Sequence, residues 1–369
     1  MDRYIQNQVL ADLSRKMVFL GGPRQVGKTT LAKHLVGSIP GYLNWDVPRD
    51  RELILRGLFP TAPLLALDEI HKYRDWRALV KGLFDGRSEG QRILVTGSAR
   101  LDLYRHGGDS LQGRYHFLRL HPLTVAELGI AAEAGFRDLL ALGGFPEPFL
   151  GGSEVEARRW SREYRTRLIQ EDVRDLERVT DVGRIERLML RLPELVGSPL
   201  SLNALCEDLQ VSHRAVSHWF EILERLYAVF RLPPMGAPSI RAVKKAQKHY
   251  HLDWSLVPEP GPRFENLVAC HLLKWVHHQQ DTQARELELR YVRDVDGREV
   301  DFALLEGGRP LEFVECKLSA REIPSSLRYL KARFPEVVAT LVTTDNLPPS
   351  RTPDGIEVRS AWDFLARFV

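Results

Sequence analysis

The sequence has 369 residues, with 52 lysines and arginines against 49 aspartates and glutamates, which gives a formal net charge of +3. This near balance excludes a histone-like polycation, and a composition of 44% hydrophobic and 27% charged residues excludes a disordered or fibrous protein. Three widely separated cysteines, Cys206, Cys270 and Cys316, argue against a disulfide framework or a zinc site. The sequence contains no apolar run long enough to span a membrane, so we expect a cytoplasmic protein with no membrane partner.

The first part of the chain predicts an α/β domain with a parallel sheet. Short apolar runs alternate with longer helical patterns, as is typical of strands that are buried on both faces. The apolar runs span 17–20, 64–67 and 93–96, with a further candidate at 115–120. We therefore predict a sheet core over residues 1–130, followed by a helical lid over 131–196.

A glycine-rich loop follows the first predicted strand and precedes a predicted helix over 29–36. It fits the pattern GxxxxGK[ST], in which backbone N–H groups surround a phosphate at a helix N-terminus. Lys28 would reach the β- and γ-phosphates of ATP, and the Thr29 hydroxyl would bind Mg²⁺. The alternative is a glycine-rich turn that fits the pattern by chance. The residues expected to contact the nucleotide are Gly22, Pro23, Arg24, Gln25, Val26, Gly27, Lys28, Thr29 and Thr30.

Two carboxylates, Asp68 and Glu69, end the second apolar run. This is the edge at which α/β sheets bind their ligands. Asp68 suits coordination of Mg²⁺, and Glu69 suits orienting or deprotonating the attacking water. The alternative is a pair of solvated acids that cap the following helix. The next strand runs into Ser98, whose hydroxyl would be placed to sense the γ-phosphate or the water.

These motifs together resemble a large group of bacterial and archaeal AAA-family ATPases. The resemblance covers nearly the whole chain and rests on the segments GPRQVGKTT, LDEIHK, VTGSA, LQGR, HPL and GGFP. Members of the group often carry a C-terminal domain of unknown function with a nuclease-like fold. The resemblance implies that Ser98 is a sensor and that Arg114 is an arginine finger acting on the nucleotide of a neighbouring subunit, which would make the protein a homo-oligomer. Without the family, Arg114 would be interpreted as a surface or packing residue.

Residues 197–257 predict a winged helix-turn-helix. Ser201 and Ser212 are placed to cap two short helices that are separated by a tight turn. The following stretch would form a wing whose basic residues contact DNA phosphates. The alternative is a spacer or a partner-binding module. The basic residues of this wing are Arg241, Lys244, Lys245 and Lys248.

An arginine-rich stretch lies in the predicted lid, between Arg158 and Arg178. We interpret it as the solvated face of an amphipathic helix. Contact with nucleic acid is the alternative.

The last part of the chain, 258–369, predicts three strands at 287–294, 299–305 and 310–318. Asp301 lies on the second of these strands, and Glu315 and Lys317 share one face of the third. A three-residue loop at 307–309 would set Asp301 opposite Glu315. A two-residue loop would set Asp301 against Val314 instead, unless a bulge corrects the register.

Two acids and a lysine on one sheet face suit a metal-dependent phosphodiesterase, in which carboxylates hold Mg²⁺ or Mn²⁺. The pattern resembles the PD-(D/E)xK nuclease signature, with Val300 in place of the proline before Asp301. The resemblance implies that Glu265, Asp301 and Glu315 are metal ligands and that Asp301, Glu315 and Lys317 are catalytic. The alternative is that these are surface charges on a degenerate sheet domain used for binding.

The predicted fold class is therefore α/β, with a P-loop AAA-type parallel sheet core and helical lid, then a winged helix-turn-helix and a PD-(D/E)xK nuclease-like α/β domain. The predicted function is an ATP-hydrolysing protein that acts on DNA and carries a metal-dependent nuclease domain. The alternative is a nucleotide-dependent regulatory switch whose C-terminal domain binds DNA or a protein partner without cleavage. RNA remains an alternative substrate, because the sequence has no feature specific to either nucleic acid.

Overall fold

The computed structural model describes residues 2–38, 40–97, 111–173, 181–236 and 247–369. The chain forms two compact units. The first unit consists of Met1–His121, Arg225–Tyr227 and Asp281–Gln283. The second unit consists of Pro122–Glu224, Ala228–Gln280 and Ala284–Val369. Among the described residues, no helix is both long enough and apolar enough to cross a membrane.

A parallel sheet forms the core of the first unit. Its described strands are β1 (Met17–Gly21), β2 (Tyr42–Asn44), β3 (Leu64–Asp68), β4 (Arg92–Thr96) and β5 (Tyr115–Arg119). They lie in the order β2-β3-β4-β1-β5, and every neighbouring pair is parallel. Every residue of β1 and β3 is buried, which explains why β1 is apolar and why β3 is apolar up to its last residue, Asp68. The sheet confirms the predicted P-loop type of α/β fold.

The helices that the structure describes in the first unit cover the sheet. They are α1 (Gln6–Leu13), α2 (Lys28–Val36), α3 (Pro48–Leu55) and α4 (Trp76–Asp85). Helix α4 buries Trp76 and Val80 in the same cluster as Phe19 of β1. Because the strands are parallel, their carboxyl ends meet at one edge, which carries the loop after β1 and the acids after β3.

The second unit begins with a series of helices. They are α5 (Val125–Leu128), α6 (Glu133–Leu142), α7 (Pro146–Gly151), α8 (Glu154–Arg167), α9 (Val182–Arg191), α10 (Leu202–Leu209) and α11 (His213–Arg225). The hydroxyl of Ser201 accepts the N–H of Ala204 at 3.3 Å, and that of Ser212 accepts the N–H of Ala215 at 3.2 Å. These bonds cap α10 and α11 at the serines that the sequence indicated.

Two strands follow the helix pair and form an antiparallel ribbon. They are β6 (Val229–Leu232) and β7 (Lys248–His251). The long helix α12 (Pro260–Gln283) comes next, with proline in its first turn, where a missing N–H costs no helical hydrogen bond. The side-chain amide of Asn266 on α12 bonds the backbone of His251 on β7 in both directions, at 2.8 and 2.6 Å. This pair of bonds fixes the ribbon on α12.

A second sheet ends the chain, with the strand order β12-β13-β11-β10-β9-β8. Its described strands are β8 (Leu287–Arg293), β9 (Glu299–Glu306), β10 (Arg309–Lys317), β11 (Val338–Thr343), β12 (Ser350–Arg351) and β13 (Glu357–Ser360). Two further helices, α13 (Ser325–Arg333) and α14 (Ala361–Leu365), belong to this part. Strands β8 to β10 are the predicted meander, whereas the parallel pairing of β10 with β11 was not predicted.

A buried histidine, His271, links α12 to α5 within the second unit. Its Nδ1 lies 2.8 Å from the carbonyl oxygen of Leu267, and its Nε2 accepts the N–H of Val125 at 3.1 Å. The Nε2 atom can accept this bond only when the ring is neutral. Burial lowers the pKa of His271 to about 3.

Replacing His271 with glutamine is expected to remove part of the acid sensitivity of folding. Because the folded ring stays neutral, its contribution to stability is complete above the unfolded pKa of 6.5 and is lost as the pH falls below that value. The loss is about 1.4 kcal/mol per pH unit, or about 2 kcal/mol between pH 6.5 and pH 5. Urea unfolding at the two pH values measures it. The wild type should lose about 2 kcal/mol more than His271→Gln, and equal losses would contradict the assignment.

Candidate functional site

The loop after β1 has a backbone that only glycine accommodates at its first position. Gly22 has a φ of +144°, and a Cβ there would lie 2.3 Å from the carbonyl oxygen of Leu120. The buried side chain of Lys28, at the start of α2, folds back over the loop. Its Nζ donates to the carbonyl oxygens of Gly22 and Pro23 at 2.9 and 2.6 Å. The loop therefore holds an ammonium group at the N-terminus of a helix, where the phosphate of a ligand is favoured.

Asp68, at the end of β3, accepts hydrogen bonds from three hydroxyl groups. Thr29 donates to its Oδ2 at 2.6 Å, Tyr42 donates to the same oxygen at 2.6 Å, and Thr96 donates to Oδ1 at 2.5 Å. The carboxylate is almost fully buried. These contacts join the glycine-rich loop to the ends of β2, β3 and β4. Two of the side chains predicted for a nucleotide site, Thr29 and Asp68, are thus in direct contact.

Glu69 follows Asp68 in a left-handed backbone conformation, with a φ of 56°. Its N–H donates to the carbonyl oxygen of Thr96 at 3.0 Å, which stabilises this uncommon conformation. The Glu69 carboxylate lies 3.3 Å from Nζ of Lys72, which also pairs with Asp46 at 2.5 Å. Burial raises the pKa of Glu69, and the ammonium of Lys72 acts in the opposite direction. A raised pKa near a phosphate-binding loop is typical of a group that accepts a proton.

The C-terminal acids are brought together by a two-residue turn and a bulge. The turn between β9 and β10 is Gly307–Gly308, and the register of the two strands then shifts around Leu311. The shift sets Asp301 beside Glu315, where the N–H of Asp301 lies 3.3 Å from Glu315 Oε2. The sequence allowed either a three-residue loop or a two-residue loop with a bulge. The structure has the two-residue loop, and the bulge brings Asp301 to the same face as Glu315.

We call Glu265, Glu299, Asp301 and Glu315 the carboxylate centre. Asp301 Oδ2 accepts the N–H of Cys316 at 2.9 Å, and Glu315 Oε1 pairs with Lys317 at 2.8 Å. Burial and, after it, the neighbouring Asp301 raise the pKa of both Glu265 and Glu315 to about 7. The centre is therefore a cluster of poorly solvated acids.

Lys248 lies inside this centre, which corrects the expectation that it contacts a phosphate from an exposed wing. Its Nζ is 2.8 Å from Glu299, 3.1 Å from Glu265 and 3.5 Å from Asp301. Burial alone would lower the pKa of Lys248, but the carboxylates raise it above its ordinary value. Tyr250 donates to Glu265 Oε1 at 2.7 Å, two residues further along β7. Because alternate residues of a strand share a face, β7 presents both side chains to the carboxylates.

Comparison with known families covers most of the chain in three parts. Residues 14–129 match the model of an AAA domain. Residues 133–259 match a domain of unknown function, DUF8612, and residues 260–361 match another, DUF4143. The AAA domain contains the glycine-rich loop and the acids of β3. An AAA-type P-loop fold is therefore present in the first unit.

Individual proteins are also similar to the chain. The uncharacterized protein Rv2008c of Mycobacterium tuberculosis is 27% identical over 336 residues, covering 85% of this chain and 73% of the relative. An uncharacterized protein of Methanocaldococcus jannaschii is 22% identical over 303 residues, covering 67% and 62%. Among solved structures, a RuvB variant from Thermotoga maritima is 20% identical, covers 62% of this chain and 89% of that chain, and has a TM-score of 0.29. A signal transduction ATPase of the STAND type from Pyrococcus horikoshii is 10% identical, covers 77% and 48%, and has a TM-score of 0.25.

The residues of the AAA domain fit a bound Mg²⁺. The hydroxyl of Thr29 and the carboxylate of Asp68 lie 2.6 Å apart, so two oxygen donors converge beside the phosphate-binding loop. Oxygen is the ligand atom that Mg²⁺ takes, usually with several waters and the phosphates of the substrate. The predicted ligands Thr29 and Asp68 are thus suited to the ion.

Two further groups of the first unit support the loop, and the sequence analysis missed both. Tyr42 and Asn44 lie on β2, where Asn44 Nδ2 donates to the Tyr42 hydroxyl at 3.2 Å. Arg3 donates to the carbonyl oxygens of Val26 and His121, both at 2.6 Å. Strand β2 has only three residues, too few for an apolar pattern to be recognised. An arginine ahead of the first helix carries no motif that would have identified it.

Arg114, the predicted arginine finger, pairs with Asp85 of its own chain. The distances are 2.8 Å from Nε to Oδ1 and 3.1 Å from Nη2 to Oδ2. Both side chains are partly exposed, so solvent screens the attraction between their charges. Ser98, the predicted sensor, lies outside the described residues.

The carboxylate centre does not fit the divalent metal that the nuclease resemblance implies. Its oxygens already accept from Lys248, Lys317, Tyr250 and two backbone N–H groups. Across the described ranges, no group of three or more His, Cys, Asp or Glu side chains is arranged to hold a metal ion. The structure therefore places Glu265 and Asp301 against the ammonium group of Lys248, and it places Asp301 beside Glu315, which pairs with Lys317.

Three arginines of the predicted lid form ion pairs along their own helix, as expected for a solvated face. Arg158, Arg159 and Arg167 of α8 pair with glutamates three or four residues away at 3.0 to 3.1 Å. Pairs of this kind contribute only about 0.3–0.5 kcal/mol each. Arg178 and the wing residues Arg241, Lys244 and Lys245 lie outside the part of the chain that is described.

Proposed function

We propose that the AAA domain hydrolyses ATP with the help of Mg²⁺. The observation that carries this proposal is the 2.6 Å contact between Thr29 and Asp68, at the edge that also holds Lys28 and Glu69. Bound Mg²⁺ would neutralise charge on the β- and γ-phosphates. Lys28 binds the same phosphates, and Thr29 and Asp68 would supply oxygen ligands to the Mg²⁺. Glu69 orients the attacking water and accepts its proton.

Phosphate release in Mg²⁺ and in excess EDTA tests this proposal. Hydrolysis is expected in Mg²⁺ and should be absent in EDTA. Thr29→Val, which removes the hydroxyl and keeps the shape of the side chain, should lower the rate in Mg²⁺ by at least about tenfold, because a metal-binding contact is lost. Thr61→Val, which makes the same change at an exposed threonine outside the glycine-rich loop, is the matched control. Hydrolysis that continues in EDTA would rule out the metal-dependent mechanism.

We further infer that Arg114 completes the nucleotide site of a neighbouring subunit. Its partly exposed ion pair with Asp85 leaves the guanidinium able to change partner. In this proposal ATP promotes a homo-oligomer, and Arg114→Ala lowers hydrolysis without weakening nucleotide binding. Sedimentation with and without a non-hydrolysable ATP analogue measures the association.

We propose DNA as the macromolecular partner of the second unit. The support is the pair of capped helices α10 and α11, whose second helix buries Val216 and Phe220 and exposes His213 and Arg214. A helix that follows a tight turn and exposes basic residues suits entry into the major groove. The ribbon of β6 and β7 follows it in the chain, where a wing would be.

Replacing Arg214 with alanine is expected to weaken DNA binding and to reduce its dependence on salt. Removing one phosphate contact should lower the slope of log K against log salt by about one. Fluorescence anisotropy with labelled duplex over a range of salt concentrations measures both quantities. Arg137→Ala, an exposed arginine on α6, is the control and should leave the slope unchanged. An affinity that does not depend on salt would favour a protein partner instead.

We infer that the second unit binds DNA without metal-dependent cleavage, so the regulatory alternative is preferred over the nuclease. The observation that favours it is the ammonium of Lys248 among the acids of the carboxylate centre. Single- and double-stranded DNA incubated with the chain in Mg²⁺ or Mn²⁺ should stay intact. Cleavage by the wild type that is absent in Asp301→Ala would support the nuclease function instead.

A further inference from the structure

Lys248 is fully buried although its side chain carries a charge. Its side chain is 1% exposed, and lysine is almost never buried to this extent unless it is paired. It is the first residue of β7, where its backbone pairs with Leu232 of β6 and forms a bridge with Pro199. The backbone is thus held on both sides. Lys248 therefore occupies a fixed position in the fold.

The ammonium of Lys248 has the surroundings that a bound cation would have. Its Nζ lies 2.8, 3.1 and 3.5 Å from carboxylate oxygens of Glu299, Glu265 and Asp301. The ring of Tyr291 lies 5.6 Å from Nζ and adds its electron-rich face. These acids come from helix α12 and strand β9. The ion pairs of Lys248 thus connect β7 to α12 and to β9.

The same position is where a metal would have to lie. Glu265 and Asp301 are two of the three ligands that the nuclease resemblance implies, and both face Nζ. Mg²⁺ requires oxygens at about 2.0–2.1 Å in near-octahedral geometry, which leaves no room for an ammonium group among the same oxygens. The ammonium and the metal are therefore mutually exclusive occupants.

We propose that the ammonium of Lys248 is the resident cation of the carboxylate centre and takes the place of a divalent metal there. The centre is then a metal-independent cluster that joins the ribbon, helix α12 and the C-terminal sheet. This inference concerns the second unit alone and does not depend on ATP hydrolysis by the AAA domain.

Calorimetric titration of the nucleotide-free chain with Mn²⁺ provides the first test. The wild type, Asp301→Asn and Glu315→Gln should give superimposable titrations, because none of them binds Mn²⁺ at the carboxylate centre. The second variant keeps the comparison available if the first does not fold. Mn²⁺ binding by the wild type that falls about tenfold or more in either variant would overturn the proposal.

The variant Lys248→Met provides the second test, because it removes the ammonium and keeps most of the side-chain volume. The acids then lack a counter-charge, and Mn²⁺ should raise the melting temperature of the variant by several degrees. Lys274→Met, which removes another fully buried lysine of the second unit, is the matched control and should not respond to Mn²⁺. A folded Lys248→Met protein that Mn²⁺ does not stabilise would show that the acids cannot hold a cation at this position, against the proposal.

Discussion

Replacing Glu69 with glutamine is expected to stop ATP hydrolysis while leaving ATP binding intact. Glutamine has nearly the same shape as glutamate but cannot accept a proton from water. A positioned general base contributes about 10²–10⁴-fold to a rate, so kcat should fall by at least about 100-fold. Burial raises the pKa of Glu69, which brings its proton affinity closer to that required near neutral pH. Steady-state phosphate release measures kcat, and calorimetry measures the affinity for ATP.

The backbone conformation at Glu69 limits which substitutions can be made there without strain. Because this residue has a φ of 56°, a β-branched substitute would be strained, whereas glutamine is tolerated. Glu89→Gln, an exposed acid in the loop before β4, makes the same chemical change away from the edge of the sheet. The control should hydrolyse ATP at the wild-type rate. A Glu69→Gln protein that does so too would remove Glu69 from the mechanism.

Replacing Lys28 with methionine is expected to weaken ATP binding by about 10–100-fold, since a hydrogen bond to a charged group contributes about 1.5–3 kcal/mol. Without a ligand, Nζ donates to the carbonyl oxygens of Gly22 and Pro23, so it already lies within the loop. Binding would exchange these carbonyl acceptors for phosphate oxygens. Hydrolysis should be lost together with affinity.

Lys28→Met also removes the two hydrogen bonds to the carbonyl oxygens of Gly22 and Pro23. A destabilised loop would therefore lower the affinity for ATP as well. Thermal unfolding of the variant, followed beside the binding measurement, separates the two explanations. Lys16→Met removes a lysine of the first unit outside the glycine-rich loop and serves as the control. A variant with the wild-type melting temperature and the wild-type affinity for ATP would contradict the role given to Lys28.

Three strands of the AAA domain, β1, β3 and β4, could be predicted because they are buried on both faces. Strand β1 is apolar, β3 is apolar from Leu64 to Leu67, and β4 is apolar from Ile93 to Val95, so their sequences differ clearly from the helices between them. The loop after β1 and the acids after β3 are local motifs, and their contacts follow from the fold. Strand β2 escaped prediction, and with it Tyr42, because three residues form no pattern.

Lys248 shows why the C-terminal centre could be predicted only in part. Its neighbours in the sequence are basic, so the surrounding charge indicated an exposed wing. Its partners Glu265, Glu299 and Asp301 are 17, 51 and 53 residues away, and only the packing of β7 against α12 and β9 brings them together. No local pattern records a pairing over that distance. Asp301 and Glu315 were found because a strand and a hairpin are local, and Glu265 was found through the nuclease resemblance. Glu299 and the cation were missed because their pairing is not local.

The central claim is that the edge formed by the glycine-rich loop, Asp68 and Glu69 carries out repeated ATP hydrolysis. The number of phosphates released per chain, followed over time with saturating ATP and Mg²⁺, tests it most directly. The account predicts a steady release of many phosphates per chain by the wild type and almost none by Glu69→Gln. Wild-type release that stops at or below one phosphate per chain would contradict catalytic turnover and leave a protein that only binds the nucleotide.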